Sequence, residues 1–152
     1  MATIYGLGLR ISELINLRVN DIDSDRMLVH IYNSKGKKDR IIMLPVNLLT
    51  LLRSYFKVYK PKQYLFEGQK NSTYSPSSIR KVLKASLAKA QIKKPTTVHT
   101  LRHTFATHLL ENGTDVRIIQ KLLGHKSIKT TLLYTQVAQS TIQNVQSPID
   151  LL

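Results

Sequence analysis

The sequence predicts an α+β domain, mainly α-helical, with a small antiparallel sheet near the N-terminus. Three observations predict it. Several long stretches repeat apolar residues at helical spacing. Two short β-rich runs near the front flank a polar loop that contains glycine. Capping residues and prolines punctuate the remainder. The 152 residues and 42% hydrophobic content suit one domain, residues 1–152, with a core of its own.

The elements follow in chain order. The residues ahead of Arg10 are expected to lie in a helix. "RISELINL" reads as a helix with Leu14, Ile15 and Leu17 inward; counted as helical from Leu9, it places Arg10 between Leu17 and Leu14. Asp21 to Asp25 read as a turn. "MLVHIY" and "RIIMLP" read as strands joined by "NSKGKKD", where Gly36 permits a tight turn, and Pro45 ends the second. "VNLLTLLRSYFKVY" is an amphipathic helix closed by Pro61, and "YLF" a short strand. "SPSSIRKVLKASLAKAQI" is a helix with Ser75 at its N-cap and Pro76 at its first position. Pro95 breaks the chain. "VHTLRHTFATHLL" is a helix ending at Gly113, and "DVRIIQKLLG" another, opened by Asp115 and closed by Gly124. "SIKTTLLYTQV" and "STIQNV" read as helical or part-helical.

The net charge of +14 calls for a polyanionic partner, nucleic acid before anionic lipid. The alternative is a basic, solvated surface. Residues 68–110 hold no acidic side chain but carry Lys70, Arg80, Lys81, Lys84, Lys89, Lys93, Lys94 and Arg102. The chain has no cysteine, which excludes disulfides and thiolate zinc sites and favours a cytoplasmic setting. No stretch approaches the roughly 20 apolar residues of a membrane span, and "MATIYGLGLR" does not read as a signal peptide.

Two arginines break the apolar pattern. On a helical wheel Arg102 lies inside the arc of Leu101, Phe105, Ala106, Leu109 and Leu110, and Arg10 repeats the anomaly. A buried guanidinium keeps its proton and needs an anion. That anion is either an internal Asp or Glu, of which the chain has nine in all, or an external one; phosphate suits the guanidinium fork. An uncompensated buried cation further predicts that Arg102→Ala or Arg10→Ala leaves stability intact or improves it. His99 lies one helical turn before Arg102 and projects from the same end of the face. His99 and His103 stand four apart, as in zinc-binding helices, but "TLR" between them supplies no general-base Glu and no third ligand is evident. His103 alternatively reads as a core histidine. His125 follows Gly124, and Tyr134 comes nine residues later; taken singly, these are a helix boundary and a packing residue. Lys35 occupies a hairpin tip with Lys37, Lys38 and Arg40, a cluster that suits DNA-backbone contact and could also push one ammonium into a site.

Taken together, "GLGLRISEL", "SKGKKDR", "HTLRHTFATHLL", "LLGH" and "TTLLYT" resemble the tyrosine recombinases, or phage-integrase family, over nearly the whole chain. The resemblance implies the recombinase catalytic-domain fold and a catalytic set of Arg10, Lys35, His99, Arg102, His125 and Tyr134. It implies that Tyr134 attacks a DNA phosphate to give a 3′-phosphotyrosine and a free 5′-hydroxyl, without metal or cofactor. Arg10 and Arg102 would stabilise the non-bridging oxygens, Lys35 would protonate the leaving oxygen, His99 would take the Tyr134 proton, and His125 would hydrogen-bond the phosphate. DNA-backbone contacts are expected from Lys37, Lys38, Arg40, Arg80, Lys81 and Lys84. The implied partner is double-stranded DNA at the nucleoid. The family's separate N-terminal DNA-clamping domain is not expected within this chain. The implied assembly is a tetramer on DNA for a longer protein, and a monomer for this chain alone. The apolar tail after Tyr134 (Val137, Ile142, Val145, Ile149, Leu151, Leu152) is expected to dock in a neighbouring protomer or fold back on its own. Two rivals stay open: a type IB topoisomerase-like strand-cleaving enzyme, and a DNA-binding fragment without full recombination activity.

The charge distribution yields the first prediction. With about six phosphate contacts, DNA affinity falls about a thousandfold between 50 and 200 mM salt. Fluorescence anisotropy on a labelled duplex measures this, and a salt slope near zero contradicts it.

Overall fold

The computed structural model describes residues 1–32, 39–68, 72–125 and 127–135. The chain opens with α1 (Ala2–Leu7), which ends at Gly8 in the left-handed conformation at φ 59°. Helix α2 (Ile11–Asn16) buries Leu14 and is followed by the buried Leu17, with Ile15 only half-buried. Arg10 is not helical. It sits at the N-cap of α2 with extended backbone, φ −74° and ψ 156°, which corrects its placement on the helix wheel.

A 3₁₀ turn at Val19–Asp21 leads into an antiparallel sheet of order β1-β2-β3, formed by β1 (Ile22–Asp23), β2 (Leu28–Ile31) and β3 (Arg40–Met43). Strand β1 lies inside the segment read as a turn. Two residues carry too little periodicity to announce a strand, and only the neighbour β2 makes it one. The register pairs Val29 with Ile42 and Ile31 with Arg40. Alternation then sets the faces: Arg40 and Ile42 point inward, Ile41 and Met43 outward. "YLF" is not a strand; Tyr64 makes a single bridge to Arg18, and Leu65 is buried below it.

The later helices lie in the segments read as helical, and the structure adds N-caps at Thr97 and Ser127. Helix α3 (Val46–Tyr59) buries Leu48, Leu49 and Leu52 and ends at Lys60 before Pro61. Helix α4 (Pro76–Lys89) starts where Ser75 Oγ accepts the Ser78 amide at 3.0 Å. Helix α5 (Val98–Glu111) opens on a reciprocal pair. Thr97 Oγ1 accepts from the Thr100 amide, and Thr100 Oγ1 from the Thr97 amide, both at 3.1 Å. Helix α6 (Val116–Leu123) is capped by Asp115 and closed by Gly124 at φ 62°, and α7 (Ile128–Leu132) by Ser127. Among the described residues no helix is long and apolar enough to cross a membrane.

Two apolar clusters form. The larger joins α1, α2, the sheet, α3 and α4 around Ile4, Leu7, Leu14, Val29, Ile42 and Leu83. The smaller joins α5, α6 and the residues just after α7 around Ala106, Ile119, Leu123 and Tyr134. Helix α5 packs on both α1 and α6 and so spans the seam. Its fully buried line is Val98, Arg102 and Ala106, while Leu101, Phe105 and Leu109 are half-buried.

Gly8 fixes one side of that seam. Its φ is left-handed, and an added Cβ would run into the Phe105 ring. Gly113 is also left-handed, at φ 80°, but an added Cβ there meets nothing within 4 Å. Gly8→Ala is therefore expected to cost roughly 2–3 kcal/mol and Gly113→Ala about 1 kcal/mol. Thermal melts read this as drops of about 5–10 °C and 2–4 °C respectively. Equal drops would mean that the Phe105 contact carries no cost.

Candidate active site

The site is built around one carboxylate. Glu13, in the first turn of α2, is 6% exposed. Its Oε2 accepts the Arg10 amide at 2.7 Å, which caps the helix, and its Oε1 accepts Arg10 Nη1 at 2.8 Å. Arg40 adds a two-pronged contact, Nη1 to Oε1 at 2.8 Å and Nη2 to Oε2 at 2.9 Å. Arg102 Nη1 lies 3.6 Å from Oε2. Three guanidiniums thus share one carboxylate, and the cluster carries two net positive charges.

Each arginine also holds backbone. Arg102, 1% exposed, donates from Nη1 to the Gly8 carbonyl at 2.6 Å and from Nη2 to the Leu123 carbonyl at 2.5 Å, tying the two clusters together. Arg40 Nε donates to the Leu122 carbonyl at 2.6 Å, and Arg10 Nη2 to the Gly124 carbonyl at 3.3 Å. Leu122, Leu123 and Gly124 all accept from this cluster, so the turn that presents His125 rests on arginines. Gly124 lies close enough to the Arg40 side chain that an added Cβ would sit 3.3 Å from its Cδ.

The aromatic groups close the arrangement. His125 Nδ1 is 3.0 Å from Thr131 Oγ1. Its ring stacks near Tyr134 at a centroid distance of 6.2 Å. Tyr134 also faces His103 at 5.3 Å, and His103 packs edge-on against His99 at 4.3 Å. Helix α5 delivers His99, Arg102 and His103, and the Gly124 turn and α7 deliver His125 and Tyr134. Beside this set, Arg10 and His99 line a groove of about 590 Å³ whose other wall carries Arg80 and Lys84 of α4. Among the described residues no three His, Cys, Asp or Glu side chains converge as a metal site.

The electrostatics follow from burial and the arginines. Burial alone would raise the Glu13 carboxyl, but hydrogen bonds and charge from Arg40 and Arg10 hold it down, at about 2. Burial and the neighbouring arginines push His125 down to about 4, so its ring is neutral at neutral pH. His103 is lowered by burial and by His99. Burial raises the Tyr134 hydroxyl, and the positive charges of Arg102 and Arg10 oppose it. Arg102 falls to about 10 through burial and repulsion from Arg10, and it remains charged.

Of the residues singled out in the sequence, Arg10, His99, Arg102, His125 and Tyr134 come together. Lys35, Lys37, Lys38 and the tail after Thr135 lie outside the described residues. Arg80, Lys81 and Lys84 are exposed on α4. Arg40 does not project from the hairpin toward a DNA backbone; its side chain is only 6% exposed and is bound to Glu13. The register explains this, because Arg40 shares the inward face with Ile42. The buried arginines have an internal counter-ion, one of the two alternatives the sequence left open, and the residue it did not single out is Glu13. The signal was present: Glu13 stands three residues after Arg10, the spacing at which a Glu returns to cap its own helix.

Comparison with known proteins turns on the whole chain. The profile of the phage integrase family matches residues 1–141. This chain belongs to the phage integrase family. The tyrosine recombinase XerA of Pyrococcus furiosus is 41% identical over 153 residues, which cover 98% of this chain and 53% of that protein. A crystal structure of XerA recombinase superposes with a TM-score of 0.83 at 33% identity, covering 95% of this chain and 57% of that one. XerH site-specific recombinase bound to palindromic difH substrate, in a post-cleavage complex, superposes with a TM-score of 0.80 at 26% identity, covering 97% of this chain and 44% of that one. The chain spans about half the length of the curated relatives it matches. Its fold is that of a tyrosine recombinase catalytic domain.

Two predictions follow from the carboxylate. Glu13 is depressed on folding, so its contribution, on the order of 3 kcal/mol, is complete above about pH 4.5 and lost as pH falls toward 2. Glu13→Gln should therefore melt well below the parent at pH 7, and the gap should narrow by pH 3. A gap independent of pH would show that charge is not what Glu13 supplies. The expectation that Arg102→Ala preserves stability is reversed, because Arg102 has a counter-ion and two carbonyl partners. Its removal should cost about 2–4 kcal/mol, read as a melting temperature lowered in the absence of DNA.

Proposed function

We propose that this chain is the catalytic unit of a site-specific DNA recombinase that cleaves and rejoins strands through Tyr134. The observation that carries the reading is the convergence of Arg10, Arg102 and His125 on the surroundings of one tyrosine, with two net positive charges in the cluster. A phosphodiester carries one negative charge and gains another as a nucleophile adds, and preorganised guanidiniums favour that change.

In the proposed step, Tyr134 Oη bonds to phosphorus and the bond to the 5′-oxygen breaks. The product is a 3′-phosphotyrosine and a 5′-hydroxyl. With its hydroxyl raised by burial, Tyr134 is protonated at neutral pH and needs a base. The proposed base is His99, whose ring packs against His103, which in turn packs against Tyr134. Neutral His125 donates a hydrogen bond to a non-bridging oxygen. Arg10, 26% exposed, meets the phosphate first, and Arg102 supports it from below. Lys35 protonates the leaving oxygen. The covalent link retains the phosphodiester energy, so a second strand's 5′-hydroxyl reverses the step. Arg80, Lys81, Lys84, Lys37 and Lys38 supply backbone contacts. The apolar tail docks on a neighbouring protomer when copies assemble on paired DNA sites, while the chain alone is a monomer in free solution. A topoisomerase-like reaction uses the same first step; the relatives' names favour recombination.

Tyr134→Phe removes the nucleophile and little packing. Duplexes selected from a random pool by binding, then nicked, serve as suicide substrates. The parent should yield a covalent band on a denaturing gel, and the Phe variant should bind equally but yield none. A covalent band from the Phe variant assigns the nucleophile elsewhere.

A further inference from the structure

We propose that Arg40 is a positioning residue: from β3 it holds Glu13 with both prongs and the Leu122 carbonyl with Nε, and so sets where Arg10 and His125 stand in the site. The proposal rests on the catalytic reading above.

Arg40 enters from the sheet, an element that contributes no other described side chain to the cluster. Its three N–H contacts, at 2.8, 2.9 and 2.6 Å, are short and differently directed. Two grip both oxygens of the carboxylate that caps α2 and orients Arg10. The third grips the end of α6 three residues before His125. A lysine could reach one of these partners but could not fork across them. The guanidinium is itself nearly excluded from solvent, so it serves as a strut and does not meet DNA. Gly124 fits the same picture. Its φ of 62° is left-handed, and an added Cβ would stand 3.3 Å from Arg40 Cδ and press on that strut. The hairpin base, the start of α2 and the turn before His125 are far apart in sequence, and Arg40 with Glu13 joins them.

The expected behaviour differs from that of a phosphate contact and from that of a packing residue. Misplacing catalytic groups by about an ångström costs on the order of 100-fold in rate, whereas loss of a phosphate contact lowers affinity and the salt slope. The test compares parent, Arg40→Lys, Arg40→Met and Arg53→Met as a control on α3, each checked for a folded spectrum. The single-turnover rate of covalent complex formation is measured at saturating nicked duplex. Affinity and its salt slope come from anisotropy on the same duplex, and the His125 ring shifts from NMR of the DNA-free protein. We expect Arg40→Met to keep the affinity and salt slope, lose about 100-fold in rate and displace the His125 resonances. Arg40→Lys should recover part of the rate, and Arg53→Met should match the parent. In a Glu13→Gln background, Arg40→Met should cost much less, because both act through one contact. Reduced affinity with a shallower salt slope would make Arg40 a DNA contact and overturn the proposal. So would an unchanged rate, or unmoved His125 resonances. An Arg40→Met chain that does not fold leaves the decision to Arg40→Lys: parental rate and His125 shifts there overturn the proposal. No covalent complex from the parent itself would instead overturn the catalytic reading.

Discussion

The structure depends on one buried carboxylate. Glu13 accepts hydrogen bonds from two arginines and pairs with a third, so three guanidiniums can sit in a part of the molecule where a lone cation would be costly. Their other donors go to the carbonyls of Gly8, Leu122, Leu123 and Gly124. The arginines therefore join the two apolar clusters as well as charging the site. The polar network at the seam is the place where folding and function meet.

This arrangement suits the receipt of an anion. One carboxylate against three guanidiniums leaves an excess of positive charge, held by short contacts to Glu13 and to backbone carbonyls. A receptor that need not reorganise can favour the charge that develops at a phosphate during displacement. Burial first, and then the excess, keep His125 neutral, and the excess opposes the effect of burial on Tyr134. The exposed lysines and arginine of α4 extend the same sign of potential along the groove beside Arg10 and His99, which would draw a polyanion toward the site.

Much of this was legible in the sequence. Capping and helix-breaking residues located α3, α4, α5 and α6, because Pro61, Ser75, Gly113, Asp115 and Gly124 act within a few residues of themselves. Arg102 announced itself as a charge on an apolar face, and its burial followed. What the sequence did not disclose was the identity of its counter-ion. Glu13 is far from Arg102 and Arg40 in the chain, and only the tertiary fold brings them together. Arg40 was misplaced for a related reason. As one of four basic residues near a hairpin tip it looked like surface, and the alternation that turns it inward shows only once β3 is paired with β2. Strand β1 was invisible because two residues have no pattern of their own. Arg10 was placed on a helix it in fact caps, since the apolar spacing extends one position past the helical backbone.

The central claim is that Glu13 is ionised in the fold because the arginines hold it so. A carbon-13 titration of the Glu13 side-chain carboxyl in the DNA-free protein tests this most directly. The account predicts a resonance that stays in the ionised position through the ordinary glutamate range and moves only near pH 2 or with acid unfolding. A midpoint near the usual value of about 4.3, in a chain still folded, would contradict it.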